Sequence, residues 1–130
     1  MSATLTLAAD ARPTTGPRVT WTRALATGLV AALTVTAVAA AFAATDHALS
    51  VTDGAIPVLS FGQLVLIAAV LGTVLARHLS RTAFLRTASV LTVLSCVPDV
   101  LLGASALDAA GLVLTHLLAA AILIPRLARR

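Results

Sequence analysis

Charges cut this chain into long uncharged stretches, and the first stretch already limits the fold. Residues 24–45, between Arg23 and Asp46, are 22 positions without a charge. About 20 predominantly apolar residues cross the hydrocarbon core of a bilayer as a helix. Composition decides between that and a buried helix of a soluble domain. Of 130 residues 59% are hydrophobic and 11% charged, against about 25% charged in soluble domains. Nine basic and five acidic side chains cannot cover the surface of so small a water-soluble domain. An ordinary soluble domain and a disordered chain are both excluded, and lipid is the expected solvent.

The same logic divides the rest. Residues 1–20 contain Pro13, Gly16 and Pro17 with no sustained period, and read as a flexible cytoplasmic tail. Segment one covers about 24–44, with Trp21 and Arg23 as interfacial anchors at its start. A short polar loop with Asp46, His47, Asp53 and Gly54 leads to segment two, about 57–76, which opens on Pro57. Arg77, His78, Arg81 and Arg86 read as a basic loop. Between Arg86 and Arg126 lie 39 residues, which as one helix would reach about 58 Å at 1.5 Å per residue. That is roughly twice a hydrocarbon core of about 30 Å, so two passes are expected, about 85–102 and 107–124. Pro125 is read as the end of the last one. The expected fold is an all-α, four-helix transmembrane bundle occupying residues 21–130.

Orientation follows from the arginines. With the N-terminus inside, all nine (Arg12, Arg18, Arg23, Arg77, Arg81, Arg86, Arg126, Arg129 and Arg130) fall inside, while Asp46, Asp53 and Asp108 fall outside. Positive charge collects on the cytoplasmic side, so both termini are expected in the cytoplasm and the chain in the cell membrane. The net charge of +4 therefore marks topology, and nucleic-acid binding is not expected. A rival reading takes segment one as a signal peptide cleaved near Ala41-Phe42-Ala43. It is disfavoured because the run exceeds the 7–15 residues typical of such a core and a 23-residue tail precedes it.

Helices gain little hydrophobic drive to associate in lipid, so small residues that allow close approach matter. Segment one carries Ala24, Gly28, Ala32, Thr36, Ala40 and Ala44 at four-residue spacing; segment two has Ala68, Gly72 and Ala76; segment four has Gly111, Thr115 and Ala119. These read as packing seams within the bundle, with association into a homo-oligomer or a larger membrane complex left open.

Polar groups within the segments are the candidates for function. Asp99 follows Pro98 in segment three, His116 lies in segment four, and Gln63 lies near the outer end of segment two. Counting 1.5 Å per residue places all three in one layer, about 9 to 13 Å below the outer surface. Intramembrane ionisable groups usually face a partner or a wet cavity. An Asp99–His116 contact is expected, with Pro98 as a helix kink that frees the Leu94 carbonyl for Ser95, Cys96 or water. The pair reads as a ligand or proton site open to the outside, as an internal clasp, or as a solvated surface group. No metal site, cofactor motif or nucleophile motif is recognised, so no cofactor and no enzymatic activity are expected. Asp46-His47 reads as surface loop, His78 as headgroup contact and Cys96 as an inert buried thiol.

Trp21-Thr22-Arg23, Phe61-Gly62-Gln63-Leu64, Leu94-Ser95-Cys96-Val97-Pro98-Asp99 and His116-Leu117-Leu118-Ala119-Ala120 with Pro125 resemble an uncharacterised family of small bacterial four-helix membrane proteins. The resemblance covers about residues 18–130 and implies an architecture but no activity. The function expected is that of a structural or accessory membrane component, and the alternative is a small carrier, channel or ligand-sensing protein using Asp99, His116 and Gln63.

Overall fold

A computed structural model describes residues 19–45, 48–52 and 54–129. Four helices appear among them: α1 Trp21–Ala44, α2 Val58–His78, α3 Arg81–Leu102 and α4 Ala106–Ala128, with a two-stranded hairpin, β1 Ser50–Val51 and β2 Gly54–Ala55, between α1 and α2. All four helices are long and apolar enough to cross a membrane. The protein is therefore an all-α, multi-pass membrane bundle. The tail up to residue 18, Asp46, His47 and Asp53 lie outside the described residues.

Helix α1 packs mainly on α2 and then on α4. Its buried residues are Ala24, Thr27, Gly28, Ala31, Ala32, Val35 and Ala39. A Cβ added at Gly28 would meet Ala69 Cβ at 2.7 Å, and one at Gly62 would meet Thr36 Oγ1 at 2.7 Å. Each helix thus receives the other where a glycine lets it approach. The expected six-residue ridge is only half right: Ala24, Gly28 and Ala32 are buried, whereas Ala40 and Ala44 are exposed. Four residues turn a helix about 40° beyond a full turn, so strict four-residue spacing winds off any one face. The seam follows the helical average, passing to Val35 and Ala39. On α2 the buried stripe is Phe61, Val65, Ala69, Thr73 and Ala76, so Ala69 takes the place read for Ala68.

The helices run further at the arginine-rich end than the sequence suggests. Arg77 and His78 close α2, and Arg81 and Arg86 open α3, so the basic loop is reduced to Leu79 and Ser80. The Ser80 hydroxyl accepts from Ala83 N–H at 3.2 Å, an N-cap that lets α3 begin before Leu85. Pro125 lies inside α4, which continues to Ala128. Leu127 and Ala128 are buried, and that packing holds the last turn despite the backbone donor that proline lacks. Val19 is buried too. Its carbonyl accepts from Arg77 Nη1 at 2.8 Å, and the same guanidinium lies 5.7 Å from the Trp21 ring centre. The described chain before α1 is anchored, although it was read as part of the tail.

At the other end the polar loop is a built cap. Strands β1 and β2 pair antiparallel, and Gly54, the first residue of β2, has φ +136°, a conformation that favours glycine. Val51 also bridges Gly103 in the α3–α4 turn, with Thr52 N–H donating to Leu102 O and Ala104 N–H to Ser50 O. A Cβ at Gly103 would meet Ala109 at 2.9 Å. Beneath the hairpin, Leu49 is buried against Gly111.

Candidate functional site

Helices α3 and α4 are joined by a short turn and run antiparallel. Asp99 stands three residues before the end of α3, about 4.5 Å along the axis, and His116 ten residues into α4, about 15 Å along. Helical side chains lean toward the N-terminus of their own helix. In an antiparallel pair, Asp99 therefore leans away from the turn and His116 toward it, which closes part of the offset. His116 Nδ1 lies 2.7 Å from Asp99 Oδ2.

The details of that contact matter. The Asp99 side chain is 13% exposed and that of His116 41%. Nδ1 also faces the Leu112 carbonyl at 3.3 Å, and a carbonyl requires the hydrogen on that nitrogen. The N–H points along α4, so Asp99 Oδ2 is buried without an aligned hydrogen bond among the described residues. The two side chains are held in close approach, 2.7 Å apart. A carboxylate so placed in hydrocarbon depends on its partner.

Two cavities meet at this pair. The larger, about 280 Å³, lies between α2, α3 and α4 and reaches from His116 past Thr92 and Ala88 to Phe84 and Leu127. The smaller, about 170 Å³, holds Asp99 and is bounded by Val35, Ile56, Phe61 and Leu112. His116, Ala68 and Ala119 line both. They exist because α3 leans on α4 and touches α2 little; Phe84 is its one buried residue. The hairpin and the α3–α4 turn are bonded to each other at the end nearer Asp99. Ala68 and Leu71 of α2 and Leu91 of α3 line the larger cavity and are exposed, so it is open at the side between those two helices.

Gln63 does not join the pair. It is exposed on α2 and lines neither cavity, because Gly62 and Phe61 occupy the inward face. Phe61 and Leu64, on either side of Gln63 in sequence, do line the cavity that holds Asp99, so it is the rotation of α2 that turns Gln63 away. Pro98 sits within an unbroken α3, and the Ser95 hydroxyl donates to the Thr92 carbonyl at 2.8 Å, away from the Leu94 carbonyl that Pro98 frees. Cys96 is half-buried and unpaired. Trp21 and Arg23 stand exposed in the first turn of α1.

One site was missed. Asp108 was read as a mark of topology, yet its carboxylate accepts from Ser105 Oγ at 2.7 Å, Ser50 Oγ at 3.1 Å and Ser50 N–H at 3.3 Å. The Ser105 hydroxyl in turn accepts from Asp108 N–H at 3.1 Å. Ser105-Ala-Leu-Asp108 is a capping box with aspartate at the third position, a signal visible in the sequence. The reach of Ser50 across 58 residues is not. Among the described residues no three His, Cys, Asp or Glu side chains gather as a metal site.

Compared with known proteins, residues 15–130 match a family described as a family of unknown function, DUF6069. No curated protein and no solved structure matches the chain.

Proposed function

We propose, for a chain that belongs to the DUF6069 family of unknown function, the role of an accessory membrane protein whose responsive part is helix α3. The observation that carries this reading is the contrast in α3: it buries Phe84 alone, and the Asp99–His116 pair at 2.7 Å ties it to α4. Whatever changes that pair changes how α3 is held. The apolar surface of α3, including Val90, Val93 and Val97, meets lipid or another membrane component. Enzymatic chemistry and nucleic-acid binding form no part of the proposal.

The test is a double-mutant cycle of Asp99→Asn and His116→Ala, read as thermal stability in detergent. Interhelical polar contacts in membranes average about 0.6 kcal/mol and reach about 1.7. The expected coupling lies at the upper end because the carboxylate is buried. Strictly additive losses would overturn the proposal. The orientation, with both termini cytoplasmic in the cell membrane, rests on the arginines at the terminal end. Labelling His78→Cys in a Cys96→Ala background from outside intact cells is expected to fail, and success reverses the orientation.

A second reading, a carrier or ligand sensor, is favoured by a different observation: both cavities share His116 as a wall.

A further inference from the structure

We infer that the two cavities form one binding site for a membrane amphiphile with a protonated amine, its ammonium on Asp99 and its chain in the cleft between α2, α3 and α4. The inference deepens the ligand-sensor reading and does not need the clasp. It requires a carboxylate and a cleft, whatever the coupling energy of the pair.

Three observations on the site select this ligand. Charge comes first. Asp99 and His116 are the ionisable side chains that line the cavities, so a charged group entering from the membrane has one anionic partner. His116 turns its Nδ1 to the Leu112 carbonyl and leaves Asp99 Oδ2 without an aligned hydrogen bond among the described residues. An ammonium brings three donors and can satisfy the carboxylate while Nδ1 stays on the Leu112 carbonyl. Depth comes second. Asp99 lies within one turn of the end of α3, where the polar end of an amphiphile resides. Shape comes third. From His116 to Leu127 is eleven residues of α4, about 16 Å, a trough of Leu71, Gly72, Leu75, Leu91 and Ala120 that an alkyl chain fills. The lateral opening between α2 and α3 admits such a molecule from the bilayer.

Dodecylamine, dodecanol and dodecanoate are titrated into the full chain in lipid nanodiscs, and the ¹⁵N-labelled imidazole of His116 is followed by NMR. Dodecylamine is expected to move the His116 signal saturably, with dodecanol and dodecanoate weaker by about tenfold or more, the difference of a charge-assisted contact. Asp99→Asn is expected to remove the preference for the amine. Ala68→Phe, on an exposed residue that lines both cavities, keeps the carboxylate and is expected to weaken binding of the amine by blocking the cleft. Equal responses to amine and alcohol overturn the inference, as does an unchanged amine titration in Asp99→Asn. The ligand-free coupling measurement reports separately on the clasp.

Discussion

Helices α1 and α3 are of similar length, 24 and 22 residues, and each can cross a membrane. One buries seven residues and the other buries one. The difference is side-chain size along one face. Helix α1 presents glycine, alanine and threonine at spacings of three and four, so α2 and α4 come close and dispersion contacts accumulate. Helix α3 presents Leu91, Val93, Leu94 and Val97, all exposed, and in lipid these gain nothing by facing another helix. A close seam and a loose helix thus coexist in one bundle, and the polar pair sits on the loose side.

The largest expected effect strikes the close side. Gly28→Val forces a branched side chain where a Cβ alone already lies 2.7 Å from Ala69. Overpacking of this kind costs about 1–3 kcal/mol or more, read as thermal stability in detergent. The same measurement on Ala44→Leu, on the exposed end of the nominal ridge, is expected to stay within about 0.5 kcal/mol. Equal losses at the two positions would erase the distinction between seam and ridge. Ser105→Ala sharpens the comparison at the cap. It removes the N-cap of α4 and one donor to Asp108, with an expected loss of about 1 kcal/mol. Faster amide exchange at Thr52 and Ala104 is the local signature, since both bond across the cap; unchanged exchange there would show that hairpin and turn are held independently.

What could be read beforehand follows the range of the forces involved. Spans were legible because they depend on counts of charge and length, as the split of residues 87–125 into two passes shows. Asp99 and His116 were legible as neighbours because a short turn forces α3 and α4 together, and depth is arithmetic. Gln63 failed on rotation: an error of one residue moves a side chain about 100° around a helix, and Phe61 took the inward face. Pro125 failed because proline reports a missing N–H but not whether tertiary packing of Leu127 outweighs it. The contact of Ser50 with Asp108 spans 58 residues, and the cavities depend on how far α3 stands from α2; no local pattern encodes either.

Both ends of α3 are pinned. At one end stand the two-residue connection, the Ser80 cap and Phe84; at the other stand the Asp99–His116 pair and the bridge from Gly103 to Val51. The span between them borders the larger cavity through Ala88, Thr92 and Ser95. A rod clamped at both ends, with a void beside its middle on the α2 side, responds to a load toward that void as a beam does: it bows, with the greatest deflection at midspan, and its ends stay in place. Pro98, where one backbone tie is absent, lies one residue from the clamp that a ligand at Asp99 would engage.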